Sequence, residues 1–100
     1  MRIQVLYFQG CPNHQPTVEL ARRVVADLGV DPVVEEVEVK DPDDVKRLRF
    51  LGSPTVQVNG VDIEPEARHR TDYAFSCRMY DAVGVPRRAL LEAALKEVRR

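Results

Sequence analysis

Apolar residues run almost without a break from Ile3 to Phe8, and most of them are strand formers. Such a run predicts a strand covered on both faces, at the centre of a sheet. Gly10 breaks it. Pro16 suits a first helical turn. Beyond it, Val18, Ala21, Val24, Val25 and Leu28 recur at helical spacing, with Glu19, Arg22, Arg23 and Asp27 on the other side. Gly29 stands where a left-handed residue ends a helix.

The second strand is predicted over Val33 to Val39. Its valines are interrupted by Glu35, Glu36 and Glu38, so it belongs at an edge, where charge also discourages sheet-to-sheet aggregation. Asp41-Pro42-Asp43-Asp44 reads as a helix start, with a capping acid, an early proline and further acids near the positive end of the dipole. Val45, Leu48 and Leu51 give this short helix an apolar side, and Gly52 ends it. Val56-Gln57-Val58 and Val61-Asp62-Ile63 flank Asn59-Gly60, the strongest two-residue hairpin signal. Pro86 opens a last helix carrying Leu90, Leu91, Ala94, Leu95 and Val98, ended by Arg99 and Arg100. Residues 65–86 are long for a connection within a domain. One or two helical turns are expected there between Asp72 and Ala82.

The order is thus β-α-β-α-β-β, an insertion, then α. The first crossover pairs strands 1 and 2 in parallel and right-handed, and the hairpin makes strand 4 antiparallel to strand 3. This is an α/β fold with a four-stranded mixed sheet, order 2-1-3-4. Helix 1 and the C-terminal helix are expected on one face and helix 2 on the other. One hundred residues, 44% of them hydrophobic, suffice for a single domain spanning 1–100. A net charge of −1 offers no field to recruit nucleic acid. No apolar run reaches membrane-spanning length and no signal-peptide pattern follows Met1, which makes a cytoplasmic location the expectation.

The candidate chemistry lies where the first strand turns into the first helix. Cys11 stands at that junction, and unpaired N–H groups and the dipole at a helix start favour thiolate. Cys11 reads either as a nucleophile or as a small buried apolar residue. His14 follows three residues later, about one helical turn, where its ring can approach Cys11 as ion-pair partner or proton carrier. Cys77, in the insertion, is either a resolving thiol or a core thiol beneath a loop. Arg68, Arg70 and Arg78, with Tyr73 and Tyr80, read as a solvated loop with its aromatics tucked in, or as a site for an anionic thiol. Cys11, His14 and Cys77 contain ligands suited to a soft metal, but a lone CxxH is a weak metal signal, and no metal site is assigned.

Cys11-Pro12-Asn13-His14 after the first strand, together with Pro54 in Ser53-Pro54-Thr55 just before the third, resembles the thioredoxin-like superfamily in its small, bacterial, glutaredoxin-like form. The resemblance covers nearly the whole chain. Some similar proteins carry the label alkylmercury-lyase-like. The resemblance implies a cis bond before Pro54, with that proline against Cys11, and a substrate groove shaped by Pro12, Ser53, Pro54 and Thr55. His14 replaces the second cysteine of the family's CxxC, so Cys11 cannot close a disulfide within its own motif. The implied function is thiol–disulfide exchange or thiol-dependent reduction by one nucleophile, Cys11, on a protein or small-molecule disulfide. Either Cys77 or an external small thiol such as glutathione then resolves the mixed species. No other cofactor is implied. The alternative is a binding module of the same fold, without turnover, for a partner protein or a soft metal ion.

Overall fold

The computed structural model describes residues 2–30, 33–80 and 83–98. The first apolar run forms strand β1, Arg2–Tyr7, with Ile3, Val5 and Leu6 fully buried. Helix α1, His14–Leu28, buries Thr17, Val18, Ala21 and Val24, and Gly29 ends it in the left-handed conformation at φ 63°. Strand β2 is Val33–Glu38 and helix α2 is Pro42–Arg47. Asp41 caps α2 by accepting from the Asp44 N–H at 2.9 Å. Strands β3, Thr55–Val58, and β4, Val61–Asp62, form the hairpin, with Asn59 at φ 51° and Gly60 at φ 81°, the pair of positive values such a tight turn needs. Helix α3 is Arg88–Val98. Arg99, Arg100 and Ala82 lie outside the described residues.

The sheet order is β2-β1-β3-β4. β2 runs parallel to β1, and β3 runs antiparallel to both β1 and β4. The alternation of β1 divides the apolar residues between two faces. Ile3 and Val5 face Val58 and Val56 across the β1–β3 ladder and join Val18, Ala21 and Val24 of α1 and Leu91, Ala94 and Leu95 of α3 in one cluster. Leu6, of opposite parity, joins Val39, Val45 and Phe50 in a second, so α2 covers the other face. This is the division of helices expected from the chain order. β2 sits at the edge, its Glu35 paired with Arg2 at 2.6 Å.

The insertion departs from expectation. The helical turns expected between Asp72 and Ala82 are absent among the described residues. The helical segment comes earlier, as a 3₁₀ helix at Pro65–His69. The main chain of Ser76 and Arg78 is taken up elsewhere: the Ser53 N–H donates to Ser76 O at 2.7 Å, and the Arg78 N–H donates to Ser53 O at 3.0 Å. Backbone groups paired with a neighbouring segment cannot also close helical turns. Residues 74–80 therefore form an extended strap over the loop that precedes β3.

Candidate active site

β1 delivers the chain to Cys11 through Phe8 and a turn at Gly10, whose φ of 89° requires glycine. The Cys11 N–H donates to Phe8 O and the His14 N–H donates to Cys11 O, both at 3.3 Å. Asn13 occupies the N-cap of α1 without a side-chain capping bond. Cys11 thus sits in the turn before the cap, not in the first helical turn itself. Its thiol is free and half-buried, and Pro12 beside it is exposed.

His14 is the first residue of α1, but its ring turns toward the sheet. It stacks on Tyr7 with centroids 3.5 Å apart and planes 7° from parallel. Its Nε2 lies 2.7 Å from Oε1 of Glu36, out of line for a hydrogen bond, so the contact acts as an ion pair when the imidazole is charged. Arg22 approaches the same carboxylate at 3.6 Å. No hydrogen bond joins the His14 ring to the Cys11 thiol. The ring is held between Tyr7 and Glu36, partners that the spacing does not foresee.

The Ser53–Pro54 peptide bond is cis. Ser53, Pro54 and Thr55 are all buried, beneath the strap. Ser53 and Cys77 form an isolated parallel bridge, and Cys77 is exposed. The hydroxyl of Tyr80 donates to Pro54 O at 2.7 Å, and that of Thr55 donates to Gly52 O at 2.6 Å. The main-chain N–H and C=O of Ser53 and the C=O of Pro54 are therefore bonded within the chain. Gly52 makes this approach possible. At φ 113°, a Cβ there would lie 3.0 Å from Ser76 Oγ and 3.1 Å from the Arg78 N.

The strap and the chain beyond it each touch one flank of the Cys11 loop. Phe75 packs its ring 6.4 Å from that of Phe8 and 6.3 Å from that of Phe50. After residues 81 and 82, Gly84 lies so close to Asn13 that a Cβ would fall 2.1 Å from its Nδ2. Of the two thiols, Cys77 thus sits on the strap bridged to Ser53, and the same strap packs Phe75 beside Phe8, three residues before Cys11.

Arg78 anchors the strap. It is 3% exposed, its guanidinium bonds both carboxylate oxygens of Asp62 and one of Glu64, and it lies 4.6 Å from the centre of the Tyr80 ring. Burial opposes its charge, but the bonds to Asp62, the field of Tyr80 and Asp62, and the bond to Glu64 outweigh that and hold the guanidinium above its ordinary pKa. Burial likewise pushes the Tyr80 hydroxyl well above the usual tyrosine range, against the pull of Arg78. Arg78 and Tyr80 are thus structural, not available to an anionic thiol. Arg70 pairs with Asp72 at 2.7 Å, and Arg68 with Glu97 at 3.2 Å. A cavity of about 70 Å³ lies by Arg49, Arg68, Arg70 and Tyr73, but Cys11, His14 and Cys77 do not line it.

Asp62, Glu64, Tyr7, Glu36 and Gly84 were not singled out by the sequence. Asp62 offered one signal: an acid in the returning strand of a hairpin whose neighbours are Val61 and Ile63. Among the described residues, no group of three or more His, Cys, Asp or Glu is placed to hold a metal ion, and no helix is long and apolar enough to cross a membrane. Comparison with family models, with curated proteins and with solved structures finds no match.

Proposed function

We propose that the chain is a thioredoxin-like protein that performs thiol–disulfide exchange or thiol-dependent reduction at Cys11, in the reducing cytoplasm. The observation that carries this reading is the placement of the second thiol. Cys77 is bridged to Ser53 on a strap whose Phe75 packs beside Phe8, three residues before Cys11, and Gly84, beyond the strap, lies against Asn13, two residues after it. The sheet order and the position of Cys11 between β1 and α1 agree with the same family.

In this mechanism the Cys11 thiolate attacks one sulfur of a disulfide. A Cys11–sulfur bond forms, the substrate's S–S bond breaks, and one substrate thiolate leaves. The Cys77 thiolate, or an external small thiol such as glutathione, then attacks the mixed disulfide. With Cys77 the product is a Cys11–Cys77 disulfide and a second released thiol. Two electrons pass from the two cysteines to the substrate, and two equivalents of a small thiol return them, leaving as its disulfide. Pro12 is exposed on the approach to Cys11, and the Ser53–Pro54–Thr55 loop holds the strap that presents Cys77.

Mass spectrometry after mild peroxide treatment, with and without glutathione, tests this. The expected product links Cys11 to Cys77 or to glutathione. Oxidation of the exposed Cys77 alone, with Cys11 left as a thiol, refutes the proposal.

A further inference from the structure

We infer that this site takes small-molecule disulfides and excludes polypeptide chains, because the chain's own strap occupies the main-chain groups on which a peptide would dock. The inference rests on the proposed reading of Cys11 as the attacking thiol and adds the substrate class.

An extended peptide binds beside a strand by pairing its backbone with free N–H and C=O groups. At the head of β3 those groups are spent. The Ser53 N–H donates to Ser76 O at 2.7 Å, Ser53 O accepts from the Arg78 N–H at 3.0 Å, and Pro54 O accepts from the Tyr80 hydroxyl at 2.7 Å. Ser53 itself is 0% exposed.

The strap is not a loose cover. The bidentate Arg78–Asp62 pair holds one of its side chains inside the protein, and Tyr80, 1% exposed, is a second buried anchor. Phe75 fixes the other end against Phe8 and Phe50. A peptide would have to separate a buried ion pair before making its first hydrogen bond. A small disulfide needs no such ladder. It needs only access to sulfur, and Cys11 is half-buried and Cys77 exposed.

The chemistry balances without further groups. Cys11 takes one half of the small disulfide and releases the other as a thiolate. Cys77 then displaces the second half and closes the internal disulfide, which two equivalents of a small thiol reduce.

A length series tests the inference. The probes are mixed disulfides of 2-nitro-5-thiobenzoate with cysteamine, with a single capped cysteine, and with cysteine at the centre of extended peptides of up to about ten residues. Release of the coloured thiolate is followed for Cys77→Ser, so that Cys11 alone reports, with Cys11→Ser/Cys77→Ser as the blank. The expected rate is highest for cysteamine and does not rise with peptide length. A rate rising about tenfold or more along the series overturns the inference, because strand addition then contributes binding. If Cys11 reacts with cysteamine mixed disulfide no faster than free cysteine does, the proposed function fails instead. Amide hydrogen exchange gives an independent check. The amides of Ser53 and Arg78 are expected to exchange as slowly as those of β3, and exchange at the rate of an open loop overturns the inference.

Discussion

Arg78 holds Asp62 through two parallel hydrogen bonds, Nη1 to Oδ2 at 2.7 Å and Nη2 to Oδ1 at 2.9 Å, with both side chains buried. This pair ties the strap to the β3–β4 hairpin, and so ties Cys77 to the Ser53–Pro54 loop. Removing one member leaves the other charged and buried. Asp62→Ala or Arg78→Met is therefore expected to cost about 3–5 kcal/mol in denaturant unfolding. Asp62→Ala is expected at the lower end, since Glu64 still accepts from Arg78 at 3.0 Å. The double variant Asp62→Leu/Arg78→Met is expected to be more stable than either single variant, because no unpaired charge remains. Simple additivity of the single costs would show that the two side chains do not act as a unit.

Tyr80 gives the protein an alkaline limit. An unfolded tyrosine ionises near pH 10. In the fold, burial pushes the hydroxyl higher. A group with a raised folded pKa stabilises fully below its unfolded value, and that contribution is lost as pH rises above it. The loss is about 1.4 kcal/mol per pH unit above roughly pH 10. Tyr80→Phe removes the titration but also strips Pro54 O of its partner, costing about 1–3 kcal/mol near neutrality. Unfolding free energies of the two proteins are thus expected to converge as pH rises past 10. If they fall in parallel, Tyr80 does not titrate as a buried group.

The contact between Gly84 and Asn13 is equally open to test. An alanine methyl at position 84 meets Nδ2 of Asn13 at 2.1 Å and Cγ at 2.6 Å. Asn13 makes no capping bond, so its amide is free to swing aside. Gly84→Ala is expected to destabilise by about 1 kcal/mol, the low end for overpacking. In an Asn13→Ala background the same substitution is expected to be nearly neutral. A full cost in both backgrounds would mean that Gly84 does not rest on Asn13.

Local patterning sufficed for the regular elements because each is specified by its own residues. The run from Ile3 to Phe8 marks a central strand, Asp41 marks a cap, and Asn59-Gly60 marks a turn, all within a few positions. The glutamates of β2 told its place at the edge for the same reason. What stayed hidden joins distant positions. Arg78 meets Asp62 sixteen residues away, and Tyr80 meets Pro54 twenty-six away. An arginine between a cysteine and a methionine carries no sign that it will be buried. The strap also differs in kind from the helical turns that its sequence predicts. Residues 72–82 have helix-compatible composition, but the open main chain of Ser53 captures Ser76 and Arg78, a tertiary contact that local propensity does not encode. At the site, spacing placed Cys11 in the right turn. Spacing could not show that the ring of His14, one turn on, would stack on Tyr7 and lie against Glu36.

The seat of His14 separates two roles that its distance from Cys11 along the chain leaves equivalent. A general base or ion-pair partner must reach the thiol. This ring lies flat on Tyr7 at 3.5 Å, with Nε2 at 2.7 Å from Glu36, and it makes no hydrogen bond to Cys11. From these contacts it is expected to act as a positioning residue, holding the first turn of α1 against β1 and β2. His14→Phe keeps an aromatic ring on Tyr7, whereas His14→Ala removes it. The stack alone is worth about 0.5–1.5 kcal/mol, so His14→Ala is expected to lose at least that and His14→Phe much less. Alkylation of Cys11 by iodoacetamide, measured in Cys77→Ser, is expected to change by less than about threefold in either variant, where loss of a general base would cost about 10²-fold or more. The profile of alkylation rate against pH is expected to keep its shape. A collapse of the rate in both variants, independent of their stability, would place the imidazole on the thiol and refute the positioning role.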